Sequence, residues 1–251
     1  MKILLRLVLP ILFLLLACSD NGGIKLVRKA NNEWVKGRNY GAIEIFKSVL
    51  KKYPSGGPAE ESLFRLGEIY HFSLNDSAQA ISYFQEVMEL DKKGLFGFKA
   101  QKYIAEIMEF TFKDFDQAII EYQNLINKFD RPQTNSDHQY RIASIYFKKE
   151  NYEQALAELE VLLEKYPKSA WAEKSQFQSL EILYLLNRCV DIKDHYNKFL
   201  QGYPKSKYRN EMMFVVASCL EDEEILQEAL DLFQSLQGNY TYPSLLKMKI
   251  E

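Results

Sequence analysis

Residues 138–155 read HQYRIASIYFKKENYEQA. Ile142, Ile145, Tyr146 and Lys149 stand three or four positions apart, which lays an apolar stripe along one face of a helix. Asn151 is a residue type whose side-chain oxygen starts a new helix, and Tyr152 and Ala155 would then face back onto the first. Ala143 and Ala155 are small where two helices must approach closely. The stretch therefore predicts two helices packed side by side across a tight turn.

The same device recurs along the chain. Segments of matching pattern open at Ala42 (AIEIFKSVLKKYP), Ala80 (AISYFQEVMELD), Ala118 (AIIEYQNLINKFD), Ala155 (ALAELEVLLEKYP), Ile192 (IKDHYNKFLQGYP) and Ala229 (ALDLFQSLQGNY). Successive starts differ by 38, 38, 37, 37 and 37 residues. A period held that closely predicts a solenoid, each helix pair burying its apolar face on its neighbours. Gly67 with Ala80, Ala105 with Ala118 and Ala217 with Ala229 supply further small pairs. The repeat that contains Ile192 lacks a clear small residue in its first helix, so a looser or bent junction is expected there.

Ile142-Ala143, Tyr146, Ala155, Leu159 and Pro167 fall where the tetratricopeptide repeat (TPR) carries its signature residues, and the chain resembles that family over residues 28–243. The copy before it reads Leu66-Gly67, Tyr70, Ala80 and Phe84, with one extra residue in the turn. The resemblance implies an all-α fold, a right-handed superhelical solenoid of antiparallel helix pairs with period 37–38, about six pairs with the last one short. The family period is about 34 residues. The surplus falls after the second helix, in YPSGGPAEE (53–61), YPKSAWAEK (166–174) and YPKSKYRNE (203–211). Proline there stops one helix and serine is placed to cap the next. This arrangement resembles the long repeats of periplasmic TPR lipoproteins, including the BamD family and the TPR region of the Tol-Pal-associated CpoB.

The N-terminus is consistent with such a setting. Lys2 and Arg6 precede the apolar run LVLPILFLLLA, residues 7–17, whose 11 residues fall short of a membrane span but suit a secretory signal. Leu15-Leu16-Ala17-Cys18 resembles the lipobox of bacterial lipoproteins, which implies cleavage before Cys18 and its acylation, palmitate included. With a diacylglyceryl and an amide-linked chain, the anchor exceeds the two signals stable attachment requires. Ser19 rather than Asp follows the cysteine, which by the same resemblance implies the periplasmic face of the outer membrane of a Gram-negative cell. The chain thus divides into a signal (1–17), a lipidated tether (18–27, CSDNGGIKLV) with little to pack, and the TPR array (28–251). PSLLKMKIE (243–251) is expected as a final solvating helix.

Charge excludes one class of partner. The chain has 32 Lys+Arg against 34 Asp+Glu; loss of Lys2 and Arg6 leaves 30 against 34, net −4, without the basic face nucleic acid requires. No catalytic constellation, metal-ligand spacing or phosphate loop is visible, and no cofactor is expected. His71, His138 and His195 are far apart, and His138 beside Asp137 reads as a surface residue. Cys189 and Cys219 stand 30 residues apart in neighbouring repeats. They are candidates for a disulfide in an oxidising compartment, although buried free thiols are the commoner state.

What remains is surface. In TPR arrays the first helix of each pair lines a concave, peptide-binding groove. Counting from the small residues, the inward positions three before them are Phe64, Lys102, Tyr140 and Phe214. One residue after them come Glu68, Glu106, Ser144 and Ser218. Rings beside hydrogen-bonding groups suit the capture of a protein segment, although rings at helical spacing also serve as packing between repeats. The resemblance thus implies a protein or peptide ligand and a non-enzymatic role. One form is a BamD-like adaptor of outer-membrane protein assembly. The other is a structural envelope scaffold, CpoB-like or pilotin-like, serving cell-wall, secretin or pilus machinery.

Overall fold

The structure is a computed structural model and describes residues 21–129 and 131–251; Cys18 and the signal lie outside this range. Among the described residues every regular element is helical. Two compact units divide the chain after Phe129. The first holds α1 (21–35), α2 (Asn39–Lys52), α3 (Gly57–Glu68), α4 (Ser77–Leu90), α5 (Leu95–Glu106) and α6 (Phe115–Lys128). The second holds α7 (Pro132–Lys148), α8 (Tyr152–Lys165), α9 (Ala172–Leu185), α10 (Cys189–Gly202), α11 (Arg209–Asp222), α12 (Leu226–Ser235) and α13 (Pro243–Ile250). Consecutive helices pair as the spacing predicts, and α13 closes the second unit by burying Leu246.

The turn inside each pair repeats as faithfully as the helices. Asn75, Lys113, Glu150, Asn187 and Glu224 all adopt the left-handed conformation, with φ between 55° and 61°. The next residue begins the second helix. Asp76, Asp114 and Asn151 each accept a hydrogen bond from the backbone N–H three residues on, satisfying an otherwise orphaned donor. Arg188 and Ile225, at the matching positions, provide no such cap.

The one-residue difference between early and late repeats has a local cause. From Gly67 to Ala80 and from Ala105 to Ala118 is 13 residues, but from Ala143 to Ala155 and from Ala217 to Ala229 it is 12. In the two longer copies α3 and α5 run into π-helical segments, Ile69–Ser73 and Ile107–Phe112. A π turn absorbs an inserted residue without breaking the helix.

Small residues act as expected. Gly67 lies so close to the second helix of its pair that an added Cβ would stand 2.4 Å from the Phe84 ring. Ala80, Ala105, Ala118, Ala143, Ala155 and Ala217 are fully buried. Phe46, Phe84, Tyr122, Leu159 and Phe233, four residues into five of the repeated segments, and Phe199, seven into the segment that opens at Ile192, fill the cores.

Three expectations change. Residues 21–27 of the expected tether are already helical, and Val27 joins the core of the first unit, where Gly22 and Gly23 let Tyr53 and Pro58 approach. His138 is buried rather than a surface residue, because α7 turns it inward. The repeat without a small residue is stapled: Cys189 at the start of α10 and Cys219 in α11 form a disulfide, Cα atoms 5.5 Å apart, rather than free thiols.

Candidate functional site: an aromatic pocket between α9 and α11

The long inter-repeat loops have a structural task. In Tyr166–Trp171 and Tyr203–Tyr208 proline ends the helix and the chain folds at once into a turn, Ser169 N–H donating to Tyr166 O and Ser206 N–H to Tyr203 O. Ser206 then accepts from the N–H of Tyr208 (3.0 Å) instead of capping α11, and α9 likewise starts without a side-chain cap. Each loop thereby delivers an aromatic ring back onto the first helix of the preceding pair. Trp171 stacks on Tyr140 (centroids 4.2 Å apart, planes 18°) and Tyr208 on Phe177 (4.6 Å, 7°). Tyr240 stacks on Phe214 (4.6 Å, 8°). In the first unit the loop before α5, held by three backbone N–H bonds to the Asp91 carboxylate, brings Phe96 to Phe64 (5.4 Å, 46°).

The expected groove positions therefore fall into different environments. Phe64 is core, 1% exposed, with Phe84 and Tyr103 also against it. Its groove role is corrected: two further rings from α4 and α5 close over it. Glu68 is buried, paired with Arg65 (2.6 Å), and accepts from the Tyr103 hydroxyl (3.3 Å). Lys102 and Glu106 pair with each other (3.5 Å) on α5. Tyr140 is covered by Trp171, Ser144 is half-buried, and Ser218 is 2% exposed inside the second core. Tyr140 and Ser218 are thus packing residues. Phe214, by contrast, lines an open cavity.

That cavity, about 480 Å³, lies between α9, α11 and the segment before α13. Phe177, Tyr208, Phe214, Tyr240 and Tyr242 wall it, with Glu181, Lys207, Glu211 and Thr241. Burial pushes the Glu181 carboxyl up to about 7, against a smaller opposing pull from Lys174. The Tyr240 hydroxyl is pushed up to about 12 by burial and by the neighbouring Glu211 charge. One Glu211 oxygen accepts from Thr241; the other is buried with no hydrogen-bond partner. A second hollow of about 490 Å³ follows the Tyr166–Trp171 loop. Among the described residues no group of His, Cys, Asp and Glu could hold a metal, and no helix is long and apolar enough to cross a membrane.

Phe177 and Glu181 were not singled out from the sequence, because α9 carries Leu180 where other repeats carry Gly or Ala. The period itself finds them, one repeat of 37 residues beyond Tyr140 and Ser144.

Fold and pocket together define an α-helical repeat protein with an open, ring-walled cavity in its second unit. Comparison with known proteins makes the class specific. Residues 132–237 match the family YfiO, described as outer membrane lipoprotein, and residues 60–93 match a tetratricopeptide repeat. No curated protein matches the chain in sequence. Among solved structures, PilF of Pseudomonas aeruginosa aligns over 92% of this chain and 99% of its own (12% identity, TM-score 0.50). PilW, a widely conserved type IV pilus biogenesis factor, aligns over 91% and 98% (13%, 0.51). YrrB, a TPR protein with an unusual peptide-binding site, aligns over 81% and 97% (13%, 0.55). At these identities the likeness is one of fold. The chain has the tetratricopeptide-repeat fold, and its second unit is similar to the YfiO lipoproteins.

Proposed function

We propose that this protein is a lipid-anchored, non-enzymatic TPR adaptor on the periplasmic face of the outer membrane, resembling the BamD-type adaptors of outer-membrane protein assembly. One observation carries the reading: the stretch similar to the YfiO outer membrane lipoproteins, residues 132–237, spans α9 and α11 and most of the aromatic pocket. Acylation of Cys18 would hold the array at the membrane while the second unit presents its pocket to a protein segment. The scaffold alternative draws on the likeness to PilW, a pilus biogenesis factor, which carries fold only.

The test is photocrosslinking in cells from Val215 and Tyr242, which line the pocket, with exposed Val190 as control. Capture of an outer-membrane β-barrel, its assembly machinery or its clients from the two pocket positions is the expected result. Capture of secretin, pilus or cell-wall proteins instead would replace the adaptor with the scaffold. Capture only from Val190, or from none of the three, would remove the pocket from the function.

A further inference from the structure

The stacked pairs differ in one respect that period and geometry expose together. In the second unit Lys174 places Nζ 5.0 Å over the Tyr140 ring and 5.5 Å over Trp171. In the first unit Lys99 lies 5.8 Å over Phe64. These two lysines occupy the same repeat position, two periods apart. One period of 37 residues beyond Lys174 the residue is Glu211. The same position holds Glu61 and Asp137 in the other copies, so the register itself is not basic. What differs is local: the Phe64 and Tyr140 rings each carry a lysine from this position, and the Phe177–Tyr208 pair meets a carboxylate there. Lys207 reaches Tyr208 (4.9 Å), but among the described residues no cation of the chain lies over Phe214 or Tyr240.

We infer that the pocket between α9 and α11 receives a lysine or arginine side chain from a partner protein, caged by the rings of Phe177, Phe214 and Tyr240 and neutralised by Glu181 and Glu211. The inference deepens the adaptor reading and rests on it only for the identity of the partner. Three features fit this occupant. Aromatic faces attract cations, more strongly where water is excluded. The partnerless Glu211 oxygen is an acceptor already stripped of solvent, so a donor reaching it gains a bond that the free protein lacks. Glu181 holds its proton to about pH 7 because burial penalises its charge, a penalty that an incoming cation relieves. An acidic guest would meet two carboxylates and is disfavoured.

The groups facing Glu181 are Lys174 on its own helix, Lys207 and Tyr208 from the preceding loop, Glu211 on α11, and Tyr240 and Tyr242 beyond α12. As pH rises from 6 to 8, Glu181 loses its proton and the affinity for a cation should increase.

The test uses the full chain in detergent micelles and fluorescently labelled peptides Gly-Ser-Arg-Ser-Gly and Gly-Ser-Lys-Ser-Gly, with citrulline as the uncharged copy of arginine. Expected are binding of the Arg and Lys peptides, at least tenfold weaker binding of the citrulline peptide, and tighter Arg binding at pH 8 than at pH 6. Glu181→Gln should reduce Arg binding about tenfold, leave citrulline binding alone and flatten the pH dependence; Phe214→Leu should weaken the Arg peptide as well. Thermal unfolding of each variant separates lost binding from lost fold. Equal affinity for Arg and citrulline, or no binding of either, overturns the cation pocket. Envelope partners captured from Val215 and Tyr242 regardless of Glu181→Gln would keep the adaptor and discard the cation. Arg-selective binding without such capture would do the reverse.

Discussion

Phe64 and Phe214 occupy the same place in their repeats, three residues before a small residue on the first helix of a pair, yet one is core and the other lines a cavity. In the first unit Phe84 and Tyr103 stack against one another (5.3 Å) and both press on Phe64. Arg65 and the Tyr103 hydroxyl also occupy Glu68. In the second unit Phe214 also meets a ring of its pair's second helix, Phe233 (5.3 Å). The ring that comes from the following segment, Tyr240, however, lies nearly face to face with it, as Tyr208 does with Phe177, and a cavity lies beside these stacks. Glu181, equivalent to Glu68 by the period, lines that space without such partners in its ring-walled surroundings. A repeat position fixes direction; the neighbours decide whether that direction ends in packing or in a site.

The units also differ in how they are held, and the disulfide offers the largest way to break the comparison. It joins residues 30 apart and bridges α10 to α11 in the second unit. Closing a loop of that length is worth about 3–4 kcal/mol in the chain-entropy account. Cys189→Ser with Cys219→Ser should therefore lower the unfolding free energy by about that amount. Hydrogen exchange should show the loss in α9–α12 and leave α2–α5 unchanged. Equal loss of protection in both units would mean that the two do not respond independently.

The first unit relies on close approach instead. Gly67→Val would drive a branched side chain into Phe84, which is itself fully buried and has nowhere to retreat. Overpacking of this kind costs about 1–3 kcal/mol. A urea midpoint below wild type is expected; an unchanged midpoint would mean that α3 and α4 separate without cost. The matching positions in α7 and α11 already hold Ala143 and Ala217.

These contrasts explain what could be read from the chain alone. Helix pairing, the capping Asn151 and the small-residue contacts are local or periodic, so spacing reveals them. The π segments were visible only as one surplus residue, since nothing in IYHFS or IMEFTF marks how an insertion is absorbed. Six of the eight expected groove residues are buried, paired or covered, because their fate depends on rings and charges contributed by neighbouring residues, helices and loops. Phe177 and Glu181 escaped notice because Leu180 hides the landmark used to count. The disulfide needed the turn geometry that brings α10 and α11 together, which sequence separation does not supply.

The smallest expected effect is also the most specific, because its sign differs between the units. In the unfolded chain the Glu181 carboxyl releases its proton near its ordinary value of 4.5, whereas burial holds that proton to about 7 in the folded protein. Between these values the folded state binds more protons, so stability falls as pH rises, and the whole penalty is present above pH 7. Glu181→Gln removes the titration. It should match wild type closely near pH 4.5 and exceed it at pH 8 by roughly 1 kcal/mol, after discounting for the half-exposed setting of the group. Glu68→Gln, in contrast, strips Arg65 and Tyr103 of a charged partner and should lower stability at pH 8 by about 1 kcal/mol. Urea midpoints of both variants at the two pH values decide the matter. If Glu181→Gln is no more stable than wild type at pH 8, the carboxylate is not desolvated, and the second unit's pocket is electrostatically no different from the closed position in the first.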